Sequence, residues 1–340
     1  MFLNNLWYFA LPGARLRAGR MLHTLLLDEP VLLGRDKEGR AFAIRDLCPH
    51  RGIRLSDGRF DGREVECAYH GWRFDTGGQC TAIPSLVEEQ DFDVARVSVR
   101  RFPVRERQGN IWIWFGDDAT ADKTEPPTVP GVGDGPGQLI ETATFPCAVD
   151  HAVIGLMDPA HGPFVHQSWW WRSRRSIHKK AKEFGPSELG FTMLRHPPSR
   201  NSAGYKLLGG EITTEISFRL PGIRIEHIKA GRHTVCGLTA VTPVSDQQTQ
   251  VTQTLYWTNP LLGLIKPFAR PFVRRFLDQD RQMVIKQQEG LKFDPSLMLI
   301  HDADTQAKWY FSLKKAWQAA QESGQPFENP VRARTLFWYS

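Results

Sequence analysis

Apolar and polar residues are arranged differently in the two halves of this chain. From Trp7 to Gly116 the apolar runs are short and broken by turn residues: "MLHTLLL", "PVLLGRD", "AFAIRDL" and "VSVRRFPVRERQGNIWIWFGD". Runs of this kind predict short strands, with Asp57-Gly58 and Asp61-Gly62 as hairpin turns and "QGNIWIWFG" as a buried strand. Farther on, "ITTEISFRLPGIRIEHIKA", "HTVCGLTAVTPV" and "QTQVTQTLYW" alternate as antiparallel strands should. Helices are expected around 150–160 and 268–290. Between the halves, residues 117–137, "DDATADKTEPPTVPGVGDGPG", hold almost no large apolar side chain and read as a linker or surface loop. The expected fold class is α+β: an all-β domain over 1–120, a linker over 121–137, and an antiparallel sheet with helices over 138–340.

Composition narrows the function classes. A chain of 340 residues can bury a large core. No apolar run reaches the roughly 18 residues that a membrane-spanning helix needs. The start, "MFLNNLWYFALPG", is too short and aromatic for a secretion signal and lacks its basic front. Five cysteines, two of them inside the motif described next, do not form a disulfide framework, which favours a reducing cytoplasm. The net charge of +6 fits an ordinary basic enzyme or a positive face for an acidic protein partner. Lys and Arg are dispersed and no recognition motif accompanies them, which argues against nucleic acid.

Two short stretches carry the first chemistry. "DLCPHRGIRL" holds Cys48 and His50, and "ECAYHGWRF" holds Cys67 and His70, with residues 51–66 between the pairs. Zinc accepts two thiolates and two imidazoles, but structural zinc sites usually space ligands as Cys-x2–4-Cys or His-x3–5-His. Here each loop supplies one ligand of each kind. That suits a two-iron cluster with both cysteines on one iron and both histidines on the other. Gly52 and Gly71 would let the backbone turn close to the sulfides. "CPHRG" and "CAYHGW" resemble the Rieske [2Fe-2S] motif. Respiratory Rieske proteins carry an extra cysteine in each loop, where this chain has Ile53 and Tyr69, so the oxygenase branch is the better match.

A second site is expected in "GLMDPAHGPFVHQSWWW", residues 155–171. His161 and His166 lie about 140° apart round an ideal helix, so a continuous helix could not aim both at one metal. Gly162-Pro163 is expected to break the helix and let the imidazoles converge. Taken alone, two histidines and an aspartate beside a proline are more often structural than metal-binding. Following a Rieske motif, Asp-x2-His-x4-His resembles the iron motif of Rieske non-haem iron oxygenases. The resemblance implies a mononuclear Fe(II) held by His161, His166 and a carboxylate from a downstream helix. Candidates are Asp278, Asp280, Glu289, Asp302 and Asp304. On a helical wheel Val273, Phe276, Leu277, Met283 and Val284 form one apolar stripe with Asp280 at its centre, while Asp278 falls among Arg274, Arg275, Arg281 and Gln282. A carboxylate on a core-facing stripe needs a metal or an ion-pair partner. Asp280 is the choice, with a buried ion pair as the alternative.

The resemblance also implies that Asp158 joins a cluster histidine of one subunit to an iron-ligand histidine of the next, His70 to Asp158 to His161. The family often has Asn four residues before this aspartate, where this chain has Ile154. The length resembles homotrimeric oxygenases that demethylate or monohydroxylate, with electrons from a ferredoxin or an NAD(P)H-dependent reductase and with O2. "LMDPAHGPFVH" is nearest the pheophorbide a oxygenase-like branch, which implies a bulky apolar ring substrate such as a sterol, tetrapyrrole or methoxyaromatic. The plant members' Cys-x-x-Cys has no counterpart, since no cysteine follows Cys236. The alternatives are a ring cis-dihydroxylating dioxygenase and, outside enzymes, a Rieske electron-transfer protein. Residues 259–277, "NPLLGLIKPFARPFVRRFL", interleave apolar groups with Lys266, Arg270, Arg274 and Arg275. They read as a peripheral contact with the inner membrane face or as a channel-lining or core-packed helix entry kinked at Pro267 and Pro271. Trp169–Trp171 read as core or as a channel wall.

Overall fold

The short runs of the first half become strands too short for one large sheet. A computed structural model describes residues 2–167, 174–198 and 210–340. Its first compact unit, Phe2–Pro126, holds three antiparallel sheets. The strands are β1 (Leu6–Pro12), β2 (Arg20–Leu26), β3 (Glu29–Arg35), β4 (Ala41–Arg45), β5 (Arg59–Phe60), β6 (Glu64–Glu66), β7 (Arg73–Asp75), β8 (Cys80–Ala82), β9 (Arg101–Phe102), β10 (Val104–Arg107) and β11 (Asn110–Phe115). They pair as β1-β11-β10, β2-β3-β4-β9 and β5-β6-β7-β8. β11, the "NIWIWF" run, is buried along its whole length.

Asp61-Gly62 lies in the β5–β6 hairpin, which pairs Phe60 with Val65. Asp57-Gly58 does not make a hairpin. It ends a single 3-10 turn, Leu55–Asp57, and a Cβ on Gly58 would fall 1.9 Å from the Glu66 carbonyl oxygen. That glycine serves close backbone approach, which an Asp-Gly pair does not distinguish from a turn. Residues 117–125 pack on this unit: α1 (Asp118–Ala121) follows β11, and Trp7 Nε1 donates to the Thr124 carbonyl at 3.1 Å.

The second unit, Pro127–Ser340, is built, among the described residues, on one sheet of eight antiparallel strands. They are β12 (Leu139–Phe145), β13 (Lys179–Ser187), β14 (Gly190–His196), β15 (Ile212–Arg219), β16 (Ile223–Ala230), β17 (His233–Ser245), β18 (Gln248–Trp257) and β19 (Arg334–Tyr339), in the order β12-β18-β17-β16-β15-β14-β13-β19. Four helices accompany it among the described residues: α2 (Val149–Met157), α3 (Gly162–Val165), α4 (Leu262–Leu291) and α5 (Thr305–Ser323). Tyr310 and Lys314 of α5 both donate to Asp150 Oδ1 of α2, which ties the two helices together.

α4 starts well before residue 268 and runs through both Pro267 and Pro271. Each proline removes one N–H donor, but from Leu261 to Arg275 the helix is mostly exposed, so water can take the freed carbonyls. No described helix is long and apolar enough to cross a membrane.

Candidate metal centres

The two Cys/His loops fold alike. In each, the cysteine N–H donates to the carbonyl five residues on, Cys48 to Ile53 at 2.8 Å and Cys67 to Trp72 at 2.9 Å. In each, the glycine four residues on donates back to the cysteine carbonyl, Gly52 at 2.9 Å and Gly71 at 3.1 Å. Both glycines sit in the left-handed region, at φ +72° and +69°, where a side chain would be strained. The buried Asp46 closes the first loop by accepting from Ser56 N at 2.7 Å and Ser56 Oγ at 2.6 Å. This shared pattern puts Cys48 and Cys67 in the unit's apolar core beside Leu55, Val65 and Phe74. His50, by contrast, is exposed and His70 half-buried, with ring centroids 4.5 Å apart. Trp72 stacks on His50 with ring centroids 4.7 Å apart.

The donor set fits a cluster. Cys48 and Cys67 are not in a disulfide and touch each other by their side chains. Burial pushes the Cys48 thiol up to about 11, while the His50 and Arg51 amides point at its sulfur and favour the charged form. A buried thiolate with amide donors already in place suits a bound iron.

The second site is assembled by α2, α3 and α4. Gly162-Pro163 does not break the helix. The chain leaves α2 at Asp158, whose backbone turns extended at ψ 119°, and α3 opens with His161 as its N-cap residue and proline in its first turn. A proline in a first turn gives up no hydrogen bond and presets φ, so it starts this helix instead of ending one. His166 follows the turn, and its N–H donates to the Gly162 carbonyl at 3.0 Å. The two histidines thus bracket one turn and face each other, with Nε2 atoms 3.1 Å apart.

Asp280 of α4 completes the group. Its Oδ1 lies 3.1 Å from His166 Nε2 and 3.7 Å from His161 Nε2, and its Oδ2 is buried without a partner. His161, His166 and Asp280 offer ligand atoms all within 4.8 Å of one another and could hold a metal ion. Two imidazoles with Nε2 atoms together and an orphaned buried carboxylate oxygen suit a two-His-one-carboxylate iron. The other carboxylates lie apart from it. Asp278 is exposed and pairs with Arg281 at 3.6 Å, Glu289 is exposed, Asp302 pairs with Arg334, and Asp304 accepts from the Ile300 amide.

Neighbouring groups fix the rings. His161 Nδ1 hydrogen-bonds the Asp158 main-chain carbonyl at 2.7 Å, and the Asp158 carboxylate stands 3.9 Å off. That carboxylate accepts from Ala160 N, and burial pushes its pKa up, with the nearby Asp304 charge adding to the rise. Burial holds His161 below the usual histidine range. Gln279 Oε1 accepts from His166 Nδ1 at 3.1 Å, and Phe276 stacks on the same ring, with centroids 3.6 Å apart. Gln279 was not singled out from the sequence; its one signal is its place beside Asp280. A cavity of about 390 Å³ opens onto His161, His166 and Asp280, bordered by Met193, Ile216, Leu255, Phe272 and Phe276. Trp169–Trp171 lie outside the described residues.

Residues 6–103 match the Rieske [2Fe-2S] domain, and residues 150–311 match the vanillate O-demethylase oxygenase C-terminal domain. The chain is 37% identical over 174 residues to chlorophyllide a oxygenase of Chlamydomonas reinhardtii, covering 50% of this chain and 25% of that protein. It is 37% identical over 171 residues to the oxygenase component of dicamba O-demethylase from Stenotrophomonas maltophilia, covering 49% and 48%. With the 4beta-methylsterol monooxygenase of Methylococcus capsulatus it shares 36% identity over 131 residues, covering 38% and 36%. The matches thus span a quarter to about half the length of these curated relatives. The fold is that of dicamba monooxygenase bound to dicamba, with a TM-score of 0.75 at 23% identity over 94% of this chain and 99% of that one.

Proposed function

We propose that this chain, a member of the Rieske non-haem iron oxygenases, is an oxygenase component that demethylates or monohydroxylates a bulky ring substrate with O2 and electrons from a separate ferredoxin or reductase. The observation that carries the reading is the convergence of His161, His166 and Asp280 at the wall of a large cavity, in a chain that also folds two matched Cys/His loops. A Rieske electron-transfer protein needs the loops but neither the triad nor the cavity.

In this reading Cys48, His50, Cys67 and His70 hold the [2Fe-2S] cluster, and His161, His166 and Asp280 hold the lone iron. When bound, these groups store electrons and activate O2. The protein orients and shields. The Asp158 carbonyl and Gln279 set the planes of the two ligand imidazoles, and second-sphere partners of this kind hold metal-bound rings in place. Phe276 packs on His166 and, with Leu277 and Met157, keeps one side of the site apolar. The Asp158 carboxylate, 3.9 Å from His161 Nδ1, is assigned to His70 of a neighbouring subunit in a homotrimer. The assay that tests the activity is incubation with isotopically labelled O2, a surrogate reductase and a panel of methoxyaromatics, sterols and tetrapyrroles. One labelled oxygen is expected per product, or release of the methyl carbon as formaldehyde. Two labelled oxygens in a vicinal diol would favour the dihydroxylase reading.

The exposed start of α4 supports a peripheral membrane contact. Leu261, Leu264, Ile265, Phe268 and Phe272 recur at helical spacing on one stripe, and Phe268 is 82% exposed. Lys266, Arg274 and Arg275 flank them, while Arg270 is tied to Glu141. Phe272 belongs both to this stripe and to the cavity wall, so the stripe leads to the site. Basic side chains near an anionic bilayer contribute roughly 1 kcal/mol each. Co-sedimentation with anionic liposomes is expected at low salt, weakening as salt rises and lost when Lys266, Arg274 and Arg275 become Glu. Absence of sedimentation at low salt would refute the contact.

A further inference from the structure

The two Cys/His loops are closed at their bases in different ways. The second, residues 67–72, rests on the β6–β7 hairpin, whose ladder sets Glu66 opposite Arg73, and the two side chains pair at 3.1 Å. The first, residues 47–55, has no such ladder. β4 ends at Arg45 in one sheet, and the 3-10 turn after the loop leads to β5 in another. What joins the two ends of this loop is the Asp46 carboxylate, fully buried, with each oxygen accepting from Ser56.

That carboxylate has one more side-chain partner, and it comes from outside the loop. His23 of β2 donates from Nδ1 to Asp46 Oδ2 at 2.6 Å. The β2–β3 ladder holds His23 opposite Leu32, and the Asp46 N–H donates to the Pro30 carbonyl of the same β3. One buried carboxylate is thus fixed between β2 and both ends of the first loop. Burying a carboxylate is costly unless its oxygens are met by donors, and short charge-assisted bonds meet them. Cys48 follows two residues later, so a shift of Asp46 would carry the Cys48 end of the loop with it. The oxidised and reduced forms of a cluster differ by one electron, so a fixed negative charge this near weighs differently on the two.

We propose that His23 is a positioning residue for the two-iron cluster, acting through Asp46 on the first ligand loop and on the electron affinity of the bound cluster. The proposal rests on Cys48, His50, Cys67 and His70 holding that cluster. The test is a reductive titration of the reconstituted protein, followed by visible and electron-spin spectra, for the unaltered chain and for His23→Leu, His23→Asn and Ser56→Ala. Leucine removes the donor and leaves the Asp46 charge less compensated, which opposes electron entry. At the potential that half-reduces the unaltered cluster, the reduced-to-oxidised ratio in His23→Leu is expected to fall at least about threefold. A chelator should also strip the cluster from that variant about tenfold faster. Asparagine can place its side-chain amide where Nδ1 stands, so His23→Asn should restore both readings. Ser56→Ala removes a donor at the other end of the loop and should move the ratio in the same direction. An unchanged ratio in His23→Leu would overturn the proposal, even in a variant that melts earlier, and so would an asparagine variant as altered as the leucine one. Should His23→Leu fail to fold, an unchanged ratio in Ser56→Ala would overturn it instead. A cluster missing from the unaltered protein would overturn the metal-centre reading and this proposal with it. That result is distinguishable from a cluster that forms but does not respond to His23.

Discussion

Asp280→Ala is expected to strip the lone iron and lower product formation more than about a hundredfold, since loss of even a second-sphere partner costs 10- to 100-fold. The cluster's visible and electron-spin spectra should not change. The carboxylate oxygen lies 3.1 Å from His166 Nε2, and its second oxygen is buried with nothing to bond. Alanine would leave two imidazoles, too few to retain Fe(II) against a chelator. Asp278→Ala is the matched control. That residue sits on the exposed face two positions away and loses only a 3.6 Å contact to Arg281, so iron content and stability should stay within ordinary surface effects of about 0.5 kcal/mol. Iron loss in the Asp278 variant with retention in the Asp280 variant would reverse the assignment.

Asp158→Asn is expected to leave both metal centres loaded while breaking the route between them. The main-chain carbonyl that orients His161 is untouched by this change, and asparagine keeps an acceptor for the Ala160 amide. What disappears is the negative charge proposed to hold His70 of one subunit in register with His161 of the next. Single-turnover mixing of pre-reduced protein with substrate and O2 should show product formation slowed about a hundredfold or more at normal iron content. Product at the unaltered rate would mean that electrons take another path.

How much of this could be read from sequence depended on whether the signal was local. The cluster loops were legible because four candidate ligands and two turn glycines fall within residues 48–71, and their shared backbone pattern needs nothing remote. The burial of Asp280 was legible because a carboxylate on an apolar helical stripe conflicts with its surroundings, and the helix indeed buries Leu277, Asp280 and Val284. The position of the helix break was misjudged because proline after glycine can end a helix or open one, and only the turn at Asp158 decides. α5 went unnoticed, since its polar majority hides the buried Tyr310, Leu313 and Trp317. The contact of His23 with Asp46 was invisible for a different reason. His23, Asp46 and Ser56 stand on separate segments and meet only through the folded sheet, and no local pattern marks such a meeting.

The central claim is that one chain holds a two-iron cluster and a separate catalytic iron. Parallel analysis of iron and acid-labile sulfide in the reconstituted protein tests it most directly. About three iron atoms and two sulfides are expected per chain, with iron falling to about two in His161→Ala and sulfide unchanged. Two irons and two sulfides in the unaltered protein, with no further loss in that variant, would contradict it and leave an electron-transfer protein.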